Sequence, residues 1–200
     1  NGTLKVSNIE TSSGSGTITI GQSGETITVP SGATFNVAGT LQSGGSAITQ
    51  GITEADMFRL TADLSTNADP ITSNLERVDD ATFSKIGTGM TLSSGVYTFP
   101  STGLYYIISN VKINWSSGDT AVLDMQVSSD SGSSYDSTGT ISAYQTANDE
   151  LASNSAFVNV TNASTFRIKF VASSITSSTI KGNTDNNTTS FTFIRLGDSQ

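Results

Sequence analysis

Cysteine and histidine are both absent from the 200 residues. Without cysteine there is no disulfide framework and no thiolate nucleophile. Without histidine the commonest general base and the commonest transition-metal ligand are missing. Together these absences exclude most zinc sites and the Ser-His and Cys-His hydrolases. Charged residues make up only 13% of the chain and hydrophobic residues only 34%, both below the averages of globular proteins. No apolar run approaches the length of a membrane span, no signal-peptide pattern is visible, and no helical period persists over three turns. Asn1 stands where a Met would open a complete reading frame, which implies a processed or trimmed start. A net charge of −8 disfavours nucleic acid, whose affinity needs Lys and Arg on phosphate, and disfavours anionic lipid. Neither a nucleic-acid nor a membrane partner is expected.

What is present is Ser, Thr, Asn and Gly around short alternating runs of β-branched and aromatic residues. That pattern predicts an all-β protein rather than a disordered one. So little apolar material in a folded β protein has two ordinary explanations: thin elongated parts, or burial shared between chains. Both are expected here.

Three segments are distinguishable. Residues 1–15 alternate weakly at Leu4 and Val6 and read as a docking segment. Residues 16–52 are a stalk and linker, opened by a repeat: TITIGQSGE from Thr17, TITVPSGA from Thr26, TFNVAGT from Thr34. Ile18, Ile27 and Phe35 form one column, and Ile20, Val29 and Val37 another. A unit this small cannot bury its apolar face alone and must stack, within a chain or with other chains winding beside it. A pair of ordinary hairpins is the alternative. Residues 53–200 carry strand candidates MFRLTADL, NLERV, TFSKI, GVYTF, LYYIISNVKINW, AVLDMQV, AFVNV, TFRIKFV and TSFTFIRL, separated by turns such as SSDSGSS and GNTDNN. Many short strands at this spacing predict a sandwich or barrel.

The run Gly95, Tyr97, Thr98, Pro100, Gly103, Tyr105, Ile107 within GVYTFPSTGLYYIISNVKI resembles the central motif of the jelly roll shared by tumour necrosis factor and the complement globular head. MFRLTADL is similar to that family's first strand, and NNTTSFTFIRLGDS to its last, with Thr192 where the family often has Gly. The Gly-Asp usual before the penultimate strand is replaced by TNASTFRIKF. The resemblance covers about 140 residues. It implies two five-stranded sheets and a homotrimer. On the strand from Leu104, Tyr105 and Ile107 then face the sandwich core with Phe191 and Phe193, while Tyr106, Ile108 and Ile194 face outward as trimer contacts. The N-terminal repeat is similar in texture to bacteriophage fibre shafts.

Few constellations suggest chemistry. Ser128, Asp130 and Gly132 in SSDSGSSYD resemble the Asp-box turn of sialidases, in which Asp holds backbone N–H groups. Asp130 with Asp136 is a weak calcium pair, and Asp185 with Asn183 and Asn186 another, since hard cations want six to eight oxygens. No metal or cofactor is expected. Trp115, Tyr135 and Tyr144 are candidate glycan contacts, and Trp115 serves equally well as a cap on the sandwich. The sequons at Asn159, Asn162, Asn186 and Asn187 are expected by chance in such a composition. Acidic residues such as Glu54, Asp56, Asp149 and Glu150 single out no glycosidase pair.

The expected function is therefore non-enzymatic: a trimeric virion structural protein (fibre, spike or capsid decoration) on the particle's external surface. Its N-terminal segment would join other virion proteins, and its head loops would touch a bacterial surface glycan. A secreted complement-head-like ligand for a protein receptor and a small polysaccharide depolymerase are the alternatives.

Overall fold

In a computed structural model of the chain, residues 9, 16–43, 46–47, 51–81, 83–115, 118–145 and 148–200 are described. The chain divides into two compact units, Asn1–Ile48 and Thr49–Gln200.

In the first unit the turns fall where the repeat places its Gly and Pro. The Glu25 N–H donates to the Gln22 carbonyl and the Ala33 N–H to the Pro30 carbonyl, each at 3.0 Å. Within the single chain the rungs do not pair with one another. Residues 16–41 contain no paired strand, and ladder pairing begins with β1 (Gln42–Ser43) against β2 (Ser46–Ala47). Ile20, Ile27, Val29 and Phe35 line an apolar groove of about 310 Å3, and Ile18 and Val37 are exposed as well. The reason is size. A four-residue rung supplies too few ladder bonds and too little apolar area to close on itself within one chain.

The second unit is all-β among the described residues. Its strands are β3 (Ala55–Leu60), β4 (Leu75–Arg77), β5 (Thr91–Ser93), β6 (Val96–Thr98), β7 (Gly103–Trp115), β8 (Asp119–Ser128), β9 (Asp136–Gln145), β10 (Asn148–Val160), β11 (Arg167–Ser173), β12 (Thr179–Ile180) and β13 (Ser190–Gly197). They form two antiparallel sheets packed as a jelly roll. One runs β10-β7-β13-β3-β4, with β12 also on β7; the other runs β5-β6-β11-β8-β9. The six-stranded sheet departs from the five-plus-five arrangement that the resemblance implies. β12 is the addition: Thr179 and Ile180 pair with Asn114 and Ile113, beyond the end of β13.

Strand β7 shows why the sequence folds this way. Its thirteen residues are β-rich and alternate strictly, with odd-numbered positions buried and even-numbered ones more accessible. The β5–β6 hairpin turns at Ser94 and Gly95, both at positive φ (49° and 79°). This is the two-residue turn whose twist matches the strands it joins. Gly95 is required there, because a Cβ would sit 2.4 Å from the Ile71 carbonyl oxygen. Of TFSKI, the described residues 83–86 form no strand; Phe83 and Ile86 make only single bridges, to Asp80 and Ala55. Conversely, β9 arises from a Ser/Thr-rich segment in which Ile141 is buried.

The core lies between the sheets. Tyr97 packs its ring against Phe58 (5.0 Å), Phe170 (5.8 Å) and Phe193 (5.2 Å), and Phe170 stacks on Phe191 at 3.8 Å. Along one edge the sheets are tied together, the Asn154 side-chain amide donating from β10 to the Thr140 carbonyl of β9 at 2.8 Å. At the other edge, β4 and β5 end their respective sheets.

Candidate assembly face and loop sites

The register of the six-stranded sheet sorts the candidate residues onto its two faces. Tyr105, Ile107, Phe191 and Phe193 point into the sandwich and are buried. Tyr106 lies opposite Phe157 of β10 and Ile194 of β13; Ile108 lies opposite Ser155 and Thr192. Tyr106, Ile108 and Ile194 are therefore on the outer face, each half-buried by its neighbours. Phe157 joins them. It is 66% exposed, and its ring centroid is 5.0 Å from that of Tyr106. Leu151, further along the same face of β10, is 72% exposed. Phe157 was visible in AFVNV but had no role there. Its signal is parity: Val158 and Val160 are buried, so Phe157 must face the other way.

Toward the far end this face becomes charged. Lys112 Nζ is 2.7 Å from Asp149. Arg59, itself buried, places Nε 2.6 Å from Glu76 and Nη1 3.0 Å from Asp80. The hydrogen bond that Arg59 donates to Glu76 is the largest of the effects that hold the guanidinium above its ordinary pKa. An apolar centre with ion pairs beside it is the composition of a protein–protein contact.

The Asp-box segment is a turn. Asp130 accepts from the Ser134 hydroxyl (2.6 Å), the Ser134 N–H (3.0 Å) and the Ser128 hydroxyl (2.7 Å). The Ser134 hydroxyl first, then its N–H and the Ser128 hydroxyl, hold the Asp130 carboxyl down to about 2. Local donors thus engage both Asp130 oxygens. At the other loop, Asn183 Oδ1 accepts from the N–H groups of Asp185 and Asn186 (2.7 and 2.9 Å), again an Asx-type turn. Among the described residues no group of three acidic side chains is placed to hold a metal.

Of the glycan candidates, Trp115 takes the cap position, the other of its two expected places, and Tyr135 carries a cation on one ring face. Trp115 is only 4% exposed and donates its Nε1–H to Glu150 at 3.1 Å. Its ring caps the sandwich and offers no face to a sugar. Tyr135 is half-buried, and Lys169 Nζ lies 4.4 Å from its ring centroid, so a cation already covers one face. Tyr144 sits in β9, but its side chain lies outside the described residues.

One feature was out of reach of the sequence patterns. Asp119, at the start of β8, accepts from the Thr176 hydroxyl (2.5 Å) and from the N–H groups of Ser177 (2.9 Å) and Ser178 (2.5 Å). These bonds, the Thr176 hydroxyl foremost, hold its carboxyl far below the usual range. Carboxylates elsewhere in this unit are similarly engaged. Asp56 is held by Arg77 at 3.0 Å, Asp63 by Lys181, and Asp69 by Lys169. Glu54 accepts from the Thr88 and Gly89 N–H groups.

No protein-family model matches the chain, and no curated protein matches it. Solved structures do. Eiger TNF from S. frugiperda aligns with a TM-score of 0.53 at 15% identity, covering 73% of this chain and 94% of that one. Murine APRIL aligns with a TM-score of 0.48 at 12% identity, covering 72% and 98%. The first likeness establishes the fold as a TNF-like jelly roll. It concerns the fold alone.

Proposed function

We propose that the chain is a non-enzymatic, homotrimeric recognition module that acts outside the cell or particle that makes it. The observation that carries this reading is the outer face of the six-stranded sheet. Phe157, Tyr106, Ile108 and Ile194 form one apolar surface there, of a kind monomeric proteins seldom leave wetted. A threefold assembly, which the resemblance to tumour necrosis factor and complement heads implies, covers that surface with copies of itself. Three heads then present three identical sets of loops, and weak individual contacts add through avidity. The partner best suited to such a head is a protein surface, contacted through loops such as 128–136 and 181–189.

A second reading, a fibre, spike or decoration on a virion with glycan-directed loops, is favoured by the N-terminal repeat. Its two apolar columns are uncovered within one chain, as a shaft of several wound chains requires. Both readings need the trimer. Sedimentation equilibrium of the whole chain tests it: a mass three times that of the protomer is expected, and a stable monomer at micromolar concentration overturns both. Imaging of native particles then separates virion placement from a free ligand.

A further inference from the structure

The N-terminal rungs carry two apolar columns and no cover for either. Ile18, Ile27 and Phe35, and Ile20, Val29 and Val37, are each between 37% and 69% exposed. Four of these six line the groove of about 310 Å3. We propose that the groove is filled by the same segment of two further copies of this chain. The rungs at 17–20, 26–29 and 34–37 of three chains then pair, parallel and in register, into one shared β stem. The proposal rests on the homotrimer reading, and it holds whether the trimer is a free ligand or part of a particle.

The backbone asks for a strand. Among the described residues, the backbone bonds of 16–41 are those of two turns, Glu25 to Gln22 and Ala33 to Pro30. Between the turns the rungs keep their donors and acceptors open, as a sheet edge does. The groove therefore suits a partner that is extended, apolar on one side and able to form a ladder. The segment itself has that form: TITI, TITV and TFNV alternate Thr or Asn with Ile, Val or Phe. The spacing of the rungs selects the orientation. Ile27 follows Ile18 by nine residues, and Phe35 follows Ile27 by eight. Antiparallel copies aligned at the middle rung would be one residue out of step at both outer rungs, and one residue turns every side chain to the other face. Parallel copies match at all three, which is the arrangement that a threefold axis imposes. Charge does not oppose the pairing. Glu25 is the sole charged residue from 16 to 43, and its carboxylate accepts the Gln22 N–H within its own turn at 2.7 Å. A foreign partner chosen by electrostatics would find nothing to select, whereas identical copies meet with little repulsion. Rungs of four residues are marginal alone. A trimeric head tethers three of these segments together at an effective concentration of order millimolar, which makes weak pairing sufficient.

The test is hydrogen–deuterium exchange of the pure whole chain, read over residues 17–37, beside sedimentation of the same samples. The parent should sediment as a trimer, with these amides exchanging at least about tenfold more slowly than an unstructured chain. Ile27→Asp sets a carboxylate from each copy into the apolar groove. It should keep the trimer mass and lose the protection, and Ile27→Leu should keep both. A trimer whose residues 17–37 exchange as an unstructured chain overturns this proposal alone and leaves the groove to a partner of other sequence. Protection that survives in Ile27→Asp, or in a monomeric variant, also overturns it, by placing the pairing outside the groove or within one chain. A monomeric parent overturns the trimer reading and the stem with it.

Discussion

The Tyr106 and Phe157 rings lie 5.0 Å apart with planes tilted by 35°, on residues that are direct Cα partners of β7 and β10. Each shields part of the other, yet Phe157 stays two-thirds exposed. The pair is therefore stable in the protomer and incomplete without a neighbour. A charge placed there tests which matters more. Phe157→Asp costs the isolated protomer little, because the side chain is already in water. In a trimer it buries three unpaired carboxylates around one axis. Burial of an uncompensated charge costs several kcal/mol, so the dissociation constant should rise by at least ~100-fold. The expected outcome by sedimentation is monomers with an unchanged β-type circular dichroism spectrum. Loss of the spectrum would instead place Phe157 in the fold.

Tyr97 and Phe193 make a contrasting pair in the core. Both are fully buried and their rings are 5.2 Å apart. The Tyr97 hydroxyl has no hydrogen-bond partner; burial, and then the charge of Asp56, push its pKa up. A buried hydroxyl without a partner costs about 1–3 kcal/mol. Tyr97→Phe should therefore leave stability unchanged or raise it by about 1 kcal/mol, whereas Phe193→Ala should lower it by about 3–5 kcal/mol through the cavity it opens. Urea unfolding of the two variants measures both signs.

The residues that were readable in the sequence are those whose reason is local. Strand parity puts Tyr105 and Ile107 on one face and Tyr106 and Ile108 on the other, because side chains alternate with period two. Gly95 likewise announces a turn that no other residue fits. What was not readable depends on partners far along the chain. Asp119 is completed by Thr176, Ser177 and Ser178, 57 to 59 residues away. Strand β9 has little apolar material of its own and exists because β8 supplies a ladder for it, through a register shift after Met125. Trp115 read equally well as platform or cap until Glu150 was found within reach of its indole N–H. The N-terminal rungs are the reverse case: their pattern is strong, but one chain does not contain the partner that would turn pattern into strand.

Acid behaviour follows from the carboxylates and from the missing histidine. With no histidine in the chain, no side chain has an unperturbed pKa between about 5 and 8. Asp119 and Asp130 are both held below the ordinary range. A depressed carboxylate contributes stability that is complete above its unfolded pKa, about 3.9, and is lost as pH falls through that value toward the folded one. Stability should thus be flat from about pH 5 to 8 and fall below about pH 4. Asp119→Asn removes the largest contributor, so its pH profile should lie lower at neutrality and approach the parent curve in acid. Thermal melts across that range measure it, and parallel profiles would exclude Asp119 as the source.

Trp115 is the chain's single tryptophan, which makes its burial directly observable. An indole that is 4% exposed and bonded to Glu150 should emit at short wavelength and resist quenching by acrylamide. Its emission should also ignore added neutral sugars, since no face of the ring is free to stack. Trp115→Ala should cost about 3–5 kcal/mol of stability, as a large core truncation does. Trp115→Phe should recover most of this, losing the hydrogen bond to Glu150 but keeping much of the packing. A sugar-dependent shift in emission, combined with a stable Trp115→Ala variant, would return this residue to the surface and to recognition. The geometry at the β7 end predicts the opposite on both counts.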